Sequence, residues 1–594
     1  MQRGLRQGDP LSPYIFILAI ELLAIKIRTD NEILGFKFKD NEIKLSLYAD
    51  DMTIAVQDLN SAQKVFDTLI QFSKHSGLKV NVKKSEGMWI GEDKMNDSQP
   101  FGIKWPKTPI KALGIYHSTN KQTALNKNIQ DKTEKLLKQL HWWKARNLSL
   151  SGKILIVKAL ALSKFALLAS LISIPKTFII KINTVIYNFI WNGKTDKVKR
   201  KILEQDYENG GLNMLDFETM IKGAKIKWIN KYLDGDHRDW KILFEEFCGK
   251  ENLNLFLRCN FDLKEISLKI PEYYVDSIKY WHELKSCQNI DYEQFVWYNK
   301  NVKVNKRTVF CQSLFSMGIW KVRDLYFENK IIPFEKLIKR GAKISEYMTW
   351  RGLLQSIPDN MKMFHEARDT LDIGLFSCDL SNKYISIDSA SEKQLKSALK
   401  TIKLKGMQVK DFKSQKRFEA LHGDIKEKDW KNIYSLPRNL KLDNFTKDLQ
   451  YKTLFRFLAT NKLLFQMGKI PSNKCSFCDL HIDTIEHALW ECLHVKDFWI
   501  SIFEIWNKTN TCQYIPNLKL ISLGMYETEN HSFNIFLLYS KKFIQESKLN
   551  SQTLTVHRLT LFLKSKIILR DPNTENIINF IESIDQDYIV PIYE

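Results

Sequence analysis

The stretch Leu45-Ser46-Leu47-Tyr48-Ala49-Asp50-Asp51-Met52-Thr53-Ile54-Ala55 constrains the chain most, because it sets two adjacent carboxylates between two short apolar runs. The flanks are β-branched and aromatic enough for strands, and Ala49-Asp50-Asp51 supplies small, turn-tolerant residues, so the segment reads as a β-hairpin with acids at its tip. Two carboxylates this close repel unless a cation joins them, and hard oxygen ligands with room for water suit Mg²⁺. Alone, such a dipeptide is more often an exposed acidic turn. Its neighbours change the reading.

Some forty residues upstream stands Arg3-Gly4-Leu5-Arg6-Gln7-Gly8-Asp9-Pro10-Leu11-Ser12-Pro13, followed by an apolar run, Tyr14 to Ile27, that reads as a buried helix. Asp9 before Pro10 and Ser12 before Pro13 each fit an N-cap with proline at the first helical position. Such a terminus offers free N–H groups and a positive dipole end to a phosphate, with Arg3 and Arg6 beside it. RQGDPLSP followed by YADD resembles the palm of a reverse transcriptase of the non-LTR retrotransposon (LINE) type. Ser76 to Glu86 resembles the palm segment after the catalytic hairpin, Ile110 to Ile115 the primer grip, and Gly318 to Leu325 a connector after the thumb. The resemblance runs through Asn209-Gly210-Gly211-Leu212 to near Trp499, with less support between about 240 and 430 and beyond 500.

The resemblance implies that Asp50 and Asp51, with an aspartate on an upstream strand, hold two Mg²⁺ ions for in-line nucleotidyl transfer. It implies that Arg6, Gln7 and Gly8 line the template and incoming-nucleotide side, that Lys84 lies near the triphosphate, and that Leu113 and Gly114 lie at the primer end. Nothing precedes Arg3 here except Met1 and Gln2, so fingers and the first catalytic aspartate are expected in an upstream part of a longer polyprotein. Read that way, the 594 residues alone are not expected to polymerise efficiently.

At 594 residues the chain is too long for one core. Its 44% apolar and 12% aromatic content supports globular packing along nearly the whole length. Lys and Arg exceed Asp and Glu by 90 to 68, a surplus of 22 that favours a polyanionic partner, nucleic acid or an acidic membrane surface. Of nine cysteines only three cluster, and Cys248, Cys259, Cys287, Cys311, Cys378 and Cys512 are scattered, which reads as a reduced, intracellular compartment without disulfide partners, nucleus or cytoplasm. The start has no apolar signal-peptide core. The most apolar run, Ile154 to Ile174, carries Lys158 and Lys164, which disfavours a membrane span and fits a buried helix.

After the hairpin, Ala62, Val65, Phe66, Leu69 and Ile70 recur at helical spacing, with Gly77 as a left-handed cap, and strands are expected at about 78–82 and 86–90. Together these predict helices on one face of an antiparallel sheet. Gly114 in the strand-like Ile110 to Tyr116 permits close approach of another backbone, as a primer strand requires. From about 121 Leu125, Ile129, Leu136, Leu140 and Trp143 line a helix, and helices at roughly 151–173 and 177–191 flank Pro175. Gly193 to Lys201 then supplies five basic residues in nine, among them Lys197, Lys199 and Arg200, a solvated loop or nuclear-import signal or else a phosphate contact. Trp240, Trp281, Trp297, Trp320, Trp350 and Trp430 are scattered and read as core rather than as base-stacking platforms.

The second constellation is Cys475, Cys478, His487 and Cys492, spaced C-x₂-C-x₈-H-x₄-C. Three thiolates and an imidazole suit tetrahedral Zn²⁺ and leave no open position for a catalytic water, so the site reads as structural. His481 and His494 compete for the histidine place. The four-residue gap to the last cysteine, the gap of the zinc knuckle in LINE reverse transcriptases, favours His487.

The expected architecture is multidomain α+β: a partial reverse-transcriptase palm over 1–120, a helical thumb over 121–235, a helical connector over 236–440, a zinc-knuckle domain over 441–505 and a mainly α C-terminal region over 506–594. The expected partners are an RNA template and a DNA primer or target, with no membrane. The rival reading is a catalytically dead nucleic-acid-binding remnant that keeps the basic thumb and the knuckle.

Overall fold

The computed structural model describes residues 8–38, 40–233, 239–248, 253, 257, 271–285, 295–299, 301–327, 330–358, 377–380, 383–386, 390–404, 412–527, 530–566 and 574–587. The chain forms two compact units that interleave in sequence. Unit 1 comprises Met1–Leu137, Lys164–Ile174 and Ile221–Leu399, and unit 2 comprises Lys138–Ser163, Pro175–Met220 and Lys400–Glu594.

Unit 1 opens with helix α1 (Ser12–Thr29), then the strand pairs β1 (Phe36–Phe38) with β2 (Asn41–Ile43) and β3 (Leu45–Tyr48) with β4 (Asp51–Ile54), and helix α2 (Leu59–Ser76). Leu23, Ala24, Ile27, Ile33, Leu45 and Val65 make its N-terminal core, and Ile20, Leu47, Met52, Ile54, Val56, Leu69 and Phe72 pack against them. The two helices thus grip the inner face of the acidic hairpin. Helix α2 begins where Asp58 accepts from the Ser61 N–H at 2.7 Å, and ends at Gly77 with φ +75°, the left-handed cap expected from sequence.

Helix α1 departs from its expectation of burial. Tyr14, Leu18 and Leu22 are 67%, 70% and 67% exposed, because a helix that is apolar all round buries only the side that meets a partner, here the Leu23, Ala24 and Ile27 side. Its start also differs. Asp9 Oδ1 accepts from the Leu11 N–H at 2.8 Å, closing the turn before the helix, and Ser12 is the first helical residue rather than a cap. At the other end the buried Lys44 ammonium donates to the carbonyls of Arg28 and Asp30 at 3.1 and 2.7 Å, satisfying the helix C-terminus from the link between β2 and β3.

No strands form at 78–82 or 86–90, where a turn over Asn81–Ser85 and a single bridge, Glu86 to Lys104, replace them. Leu78, Val80 and Val82 are each about 40% exposed, so the alternation has no partner strand to bury it. Sheets among the described residues are all two-stranded, so the antiparallel sheet expected from sequence is divided among separate hairpins there. Ile110 to Tyr116 is a hairpin, β5 (Ile110–Ala112) with β6 (Ile115–His117), not one strand. Leu113 and Gly114 at φ +48° and +82° make its tight turn, so the glycine serves the turn. Helix α3 (Lys121–Lys144) is tied to β6 by the fully buried Asn128, whose side chain donates to the Tyr116 carbonyl at 2.8 Å and accepts from the Tyr116 N–H at 2.9 Å.

The apolar run expected as one helix over 151–173 is broken into α4 (Leu150–Ile156), a π-turn at Val157–Ala161, a 3₁₀ turn at Leu162–Phe165 and α5 (Ala166–Leu171). Among the described residues it is the stretch long and apolar enough to cross a membrane on length and composition, and 39% of its most apolar window is buried. Helix α6 (Lys176–Ile190) follows Pro175 as expected and buries Phe178, Ile179, Ile182, Ile186, Phe189 and Ile190 along one side. Trp281, Trp297, Trp350 and Trp430 are buried, as expected of core residues, while Trp320 is 40% exposed.

The C-terminal part of unit 2 has one continuous core. Helix α9 (Leu493–Thr509) contributes Val495, Phe498, Trp499, Ile502, Phe503 and Trp506, an unbroken i, i+3, i+4, i+7 face, against α10 (His531–Leu549), α11 (Val556–Lys566) and α12 (Glu575–Asp587). Helices α7 (Glu427–Asn439) and α8 (Asn444–Leu454) flank it. Helix α10 is enclosed nearly all round, and its polar side chains each hold a different segment: Lys541 donates to Gln450 at 2.5 Å, Lys542 pairs with Asp443 at 3.0 Å, and Gln545 donates to the Ala459 carbonyl at 3.0 Å. Hydrogen bonds and ion pairs of this kind offset the cost of burying these polar groups.

Candidate catalytic hairpin and metal centre

In the β3–β4 hairpin of unit 1, Tyr48 opposes Asp51 and the turn is two residues long, Ala49 and Asp50. Ala49 takes φ +53°, the left-handed conformation that lets a two-residue turn follow the strand twist. Asp50 therefore stands in the turn and Asp51 begins the return strand, both exposed. Adjacent residues alternate across a strand, yet the change of direction at the turn keeps both acids at the hairpin tip. Hard, anionic oxygens at an open tip can accept a divalent cation.

Of the residues expected around this tip, Arg6 and Gln7 lie outside the described residues, as does Arg3. Gly8 is exposed with φ +97°. Lys84 is exposed on the Asn81–Ser85 turn, and Leu113 and Gly114 form the β5–β6 turn. Among the described residues no hydrogen bond or ion pair joins Lys84 to either acid. Lys197, Lys199 and Arg200 belong to unit 2. Arg200 is engaged, paired with Asp196 at 2.8 Å and stacked on Tyr187 at 4.3 Å, while Lys199 is exposed and Lys197 partly so.

Unit 2 brings the second constellation together. The ligand atoms of Cys475, Cys478, His487 and Cys492 lie within 4.8 Å of one another. Cys475 Sγ is 3.9 Å from Cys492 Sγ, and Cys478 Sγ is 3.4 Å from His487 Nε2. Sulfur and nitrogen ligands about 2.3 and about 2.1 Å from one tetrahedral centre stand roughly 3.6 to 3.8 Å apart, so the two close pairs match such a centre and a small side-chain shift brings the whole cluster onto a metal ion. His481 remains exposed, its ring 5.4 Å from that of His487, and His494 is exposed on α9.

Two local devices build this geometry. Cys475 and Cys478 sit on a tight loop closed by the Lys474 to Ile482 bridge, with the Cys475 N–H donating to the His481 carbonyl at 2.9 Å and Asp479 at φ +51° turning the chain. His487 and Cys492 are the ends of a π-turn, Cys492 N–H donating to the His487 carbonyl at 3.1 Å. On a regular α-helix, residues five apart point about 140° away from each other, and the wider π-turn brings them back to one side. The Trp499 indole N–H, donating to the Leu489 carbonyl at 2.9 Å, fastens that turn to α9.

The electrostatics favour thiolates at Cys475 and Cys478. A hydrogen bond from Cys492, against the cost of burial, and the backbone N–H groups of Cys478 and Phe477 draw the Cys475 thiol down to about 4, while Cys492 keeps the shared proton and is pushed up. Burial opposes ionisation of Cys478, yet the N–H groups of His481 and Leu480 hold it below the ordinary thiol range. Around the cluster, Asp483 accepts from the Asn461 N–H at 2.6 Å and from the Lys548 ammonium, and Asn461 donates to the Lys474 carbonyl at 2.7 Å. Sequence reasoning missed Asp483, Asn461 and Lys548, which carry no spacing signal, and it missed Lys44 and Asn128 in unit 1 for the same reason.

Residues 1–117 match the family described as reverse transcriptase (RNA-dependent DNA polymerase). The chain is 28% identical over 290 residues to an uncharacterised 149 kDa protein of transposon TX1 from Xenopus laevis, covering 47% of this chain and 22% of that protein. It is 33% identical over 150 residues to a retrovirus-related Pol polyprotein from a type-2 retrotransposable element of Drosophila melanogaster, covering 23% of this chain and 14% of the polyprotein. An uncharacterised mitochondrial protein of Arabidopsis thaliana is 45% identical over 58 residues, 9% of this chain and 48% of that protein. The chain thus spans less than half the length of each of these relatives. The matched segment holds the Asp50–Asp51 hairpin on its two-helix support, so over residues 1–117 the chain is similar to the reverse transcriptases, and over 290 and 150 residues to proteins of two transposable elements.

Proposed function

We propose that this chain is the part of a LINE-type RNA-directed DNA polymerase that carries the acidic hairpin of the palm, followed by a helical thumb and connector and a zinc-knuckle domain. The observation that carries the reading is the hairpin: Asp50 in a two-residue turn and Asp51 opening the return strand, both open to solvent, within the segment that matches the reverse transcriptase family. RNA as template and DNA as primer or target are the proposed partners, in keeping with a charge surplus of 22.

Asp50 and Asp51 would hold Mg²⁺, which when bound sharpens the primer 3′-hydroxyl as a nucleophile and neutralises the leaving pyrophosphate. The protein's own part is positional. Two-helix packing under β3 and β4 fixes where the acids stand, and preorganised charge at that point lowers the barrier without reorganisation during transfer. Lys84 would meet the triphosphate, the Leu113–Gly114 turn the primer end, and Arg6, Gln7 and Gly8 the template side.

Cys475, Cys478, His487 and Cys492 would hold Zn²⁺ as a closed four-ligand site with no position for a catalytic water. Its thiolates would need a reducing compartment, the nucleus or the cytoplasm.

Primer extension on an RNA template with Mg²⁺, using the polyprotein that carries this chain, tests the reading. Asp50→Ala should lower synthesis by about 10²- to 10³-fold, the usual cost of one preorganised charge. Synthesis that survives Asp50→Ala and Asp51→Ala unchanged would overturn the hairpin assignment.

A further inference from the structure

We propose that a cleft of unit 2, lined by Ser151, Tyr207, Arg438 and Lys447 and with Lys158 within electrostatic reach of Arg438, binds the phosphodiester backbone of a nucleic-acid strand. The proposal rests on the polymerase reading only in taking nucleic acid as the chain's substrate. The acidic hairpin is in the other unit and plays no part in it.

A loop that doubles back on itself builds the floor. Gly210 takes φ +77°, and a Cβ on Gly211 would fall 1.9 Å from the Gln205 carbonyl oxygen, so no larger residue permits this fold. The Tyr451 hydroxyl donates to the Gly210 carbonyl at 3.3 Å and secures the loop against α8. Tyr207 is thereby presented to α7, where the Arg438 guanidinium lies over its ring at 4.2 Å and donates to Ser151 Oγ at 3.1 Å. The floor admits about one water-sized group, which suits a phosphate oxygen of a strand lying across the mouth and excludes an enclosed small molecule.

The cations at the mouth form no ion pair among the described residues. The acids that could neutralise them are occupied elsewhere: Asp448 by the N–H groups of Leu150 and Ser151 and the Ser151 hydroxyl, Asp206 by Lys400 at 2.5 Å, and Asp443 by Lys542 at 3.0 Å. Among the described residues no acid lies at ion-pair distance from Arg438, Lys447 or Lys158. Burial, and then the neighbouring Arg438, press the Lys447 ammonium below its usual range, with Asp443 opposing. Burial, Lys400 and Arg438 do the same to Lys158. A folded chain that gathers three cations against their own repulsion holds a site whose stabilising partner is an anion. Arg438 has a planar fork with one donor spent on Ser151, and its remaining donors match two oxygens of one phosphate.

The test is binding of the full chain to labelled single-stranded RNA and duplex DNA of mixed sequence over a salt series, by fluorescence anisotropy. Lys447→Gln and Lys158→Gln, substitutions at partly or fully exposed sites, are combined, and Arg438→Gln is made separately. Each cation withdrawn from a phosphate should reduce the salt slope by roughly 0.7 on a single strand or roughly 0.9 on duplex, so the double variant should lose about 1.4 to 1.8 and bind at least about tenfold more weakly at low salt. Unchanged thermal unfolding marks the double variant as folded. Arg438→Lys should restore part of the affinity that Arg438→Gln removes. An unaltered slope and affinity in the folded double variant would overturn the proposal. So would failure of the wild-type chain to bind nucleic acid, or retention of the wild type on vesicles containing phosphatidylserine with no binding to either nucleic acid. Asp50→Ala separates the two readings, since it should lower synthesis by the polyprotein about 10²- to 10³-fold and leave this binding unchanged.

Discussion

Lys548 donates to Asp483 inside unit 2, the first 4% and the second 0% exposed, and the pair joins the cysteine loop to the enclosed helix α10. Asp483 turns its other oxygen to the Asn461 N–H, so both sides of the carboxylate are used. A buried pair is worth little over an apolar equivalent, but removing one partner strands a charge and costs about 3–5 kcal/mol. Lys548→Met should therefore destabilise unit 2 by that amount, read as faster hydrogen exchange in His531–Leu549 and a lower unfolding temperature. Adding Asp483→Asn should recover part of the loss. Equal stability of Lys548→Met and wild type would mean that the pair is solvated.

The same pairing bears on metal. Cys475 and Cys492 belong to the core that includes Trp499, Phe503 and Trp506, so an ion held there is a strut of the whole C-terminal core rather than of a surface loop. Purified protein should contain one zinc per chain, and chelation should lower the unfolding temperature of the α9–α12 region along with that of the loop. Cys492→Ser should lose the metal. Full zinc content in that variant would show that the ligand set is wrong.

Local signals were legible and tertiary ones were not. Cys475, Cys478, His487 and Cys492 meet because their spacing is written into one loop and one turn, although the π-turn that aligns the last two has no sequence marker. The hairpin and the Gly77 cap were legible for the same reason. Periodicity told that α1 is apolar but could not tell which side would find a partner, and it suggested strands around Leu78, Val80 and Val82, which pair with no strand among the described residues. Lys541, Lys542 and Lys548 look like a solvated face of a helix, and only the positions of Gln450, Asp443 and Asp483 in space make that face an interior one.

Lys225 gives unit 1 a pH dependence. Its ammonium is fully buried 3.9 Å from the Tyr273 ring, with no hydrogen-bond partner among the described residues, and burial, opposed by Asp276, lowers it to about 7. Between pH 7 and the unfolded value of 10.5 the unfolded chain binds the extra proton, so stability is lowest below pH 7 and rises as pH climbs through that window. The contribution is on the order of 5 kcal/mol across the window. Lys541 in unit 2, also lowered to about 7 by burial, adds a similar rise there. Lys225→Met should stabilise unit 1 at neutral pH and remove its share of the slope in unfolding curves taken from about pH 6.5 to about pH 10. A slope that persists undiminished would place the proton elsewhere.

Ala49 is the residue on which the tip of the acidic hairpin turns. An L-residue with a Cβ at φ +53° loses roughly 1–2 kcal/mol in the left-handed region, and glycine loses none of it but forfeits about 0.5–1 kcal/mol through its freer unfolded chain. Ala49→Gly should therefore leave stability within about 1 kcal/mol of wild type, on the favourable side. Ala49→Val brings a β-branched side chain to the same φ, where crowding is worst, and should cost about 1–2 kcal/mol more than alanine. The loss should be local, since β3 and β4 are held from below by Leu45, Leu47, Met52 and Ile54 against α1 and α2. Hydrogen exchange at Tyr48 to Asp51 is the measurement, with Val65 in α2 as the internal reference. Faster exchange at the tip in the valine variant with unchanged α2 is the expected result, and equal protection in all three would show that the turn relaxes to another form.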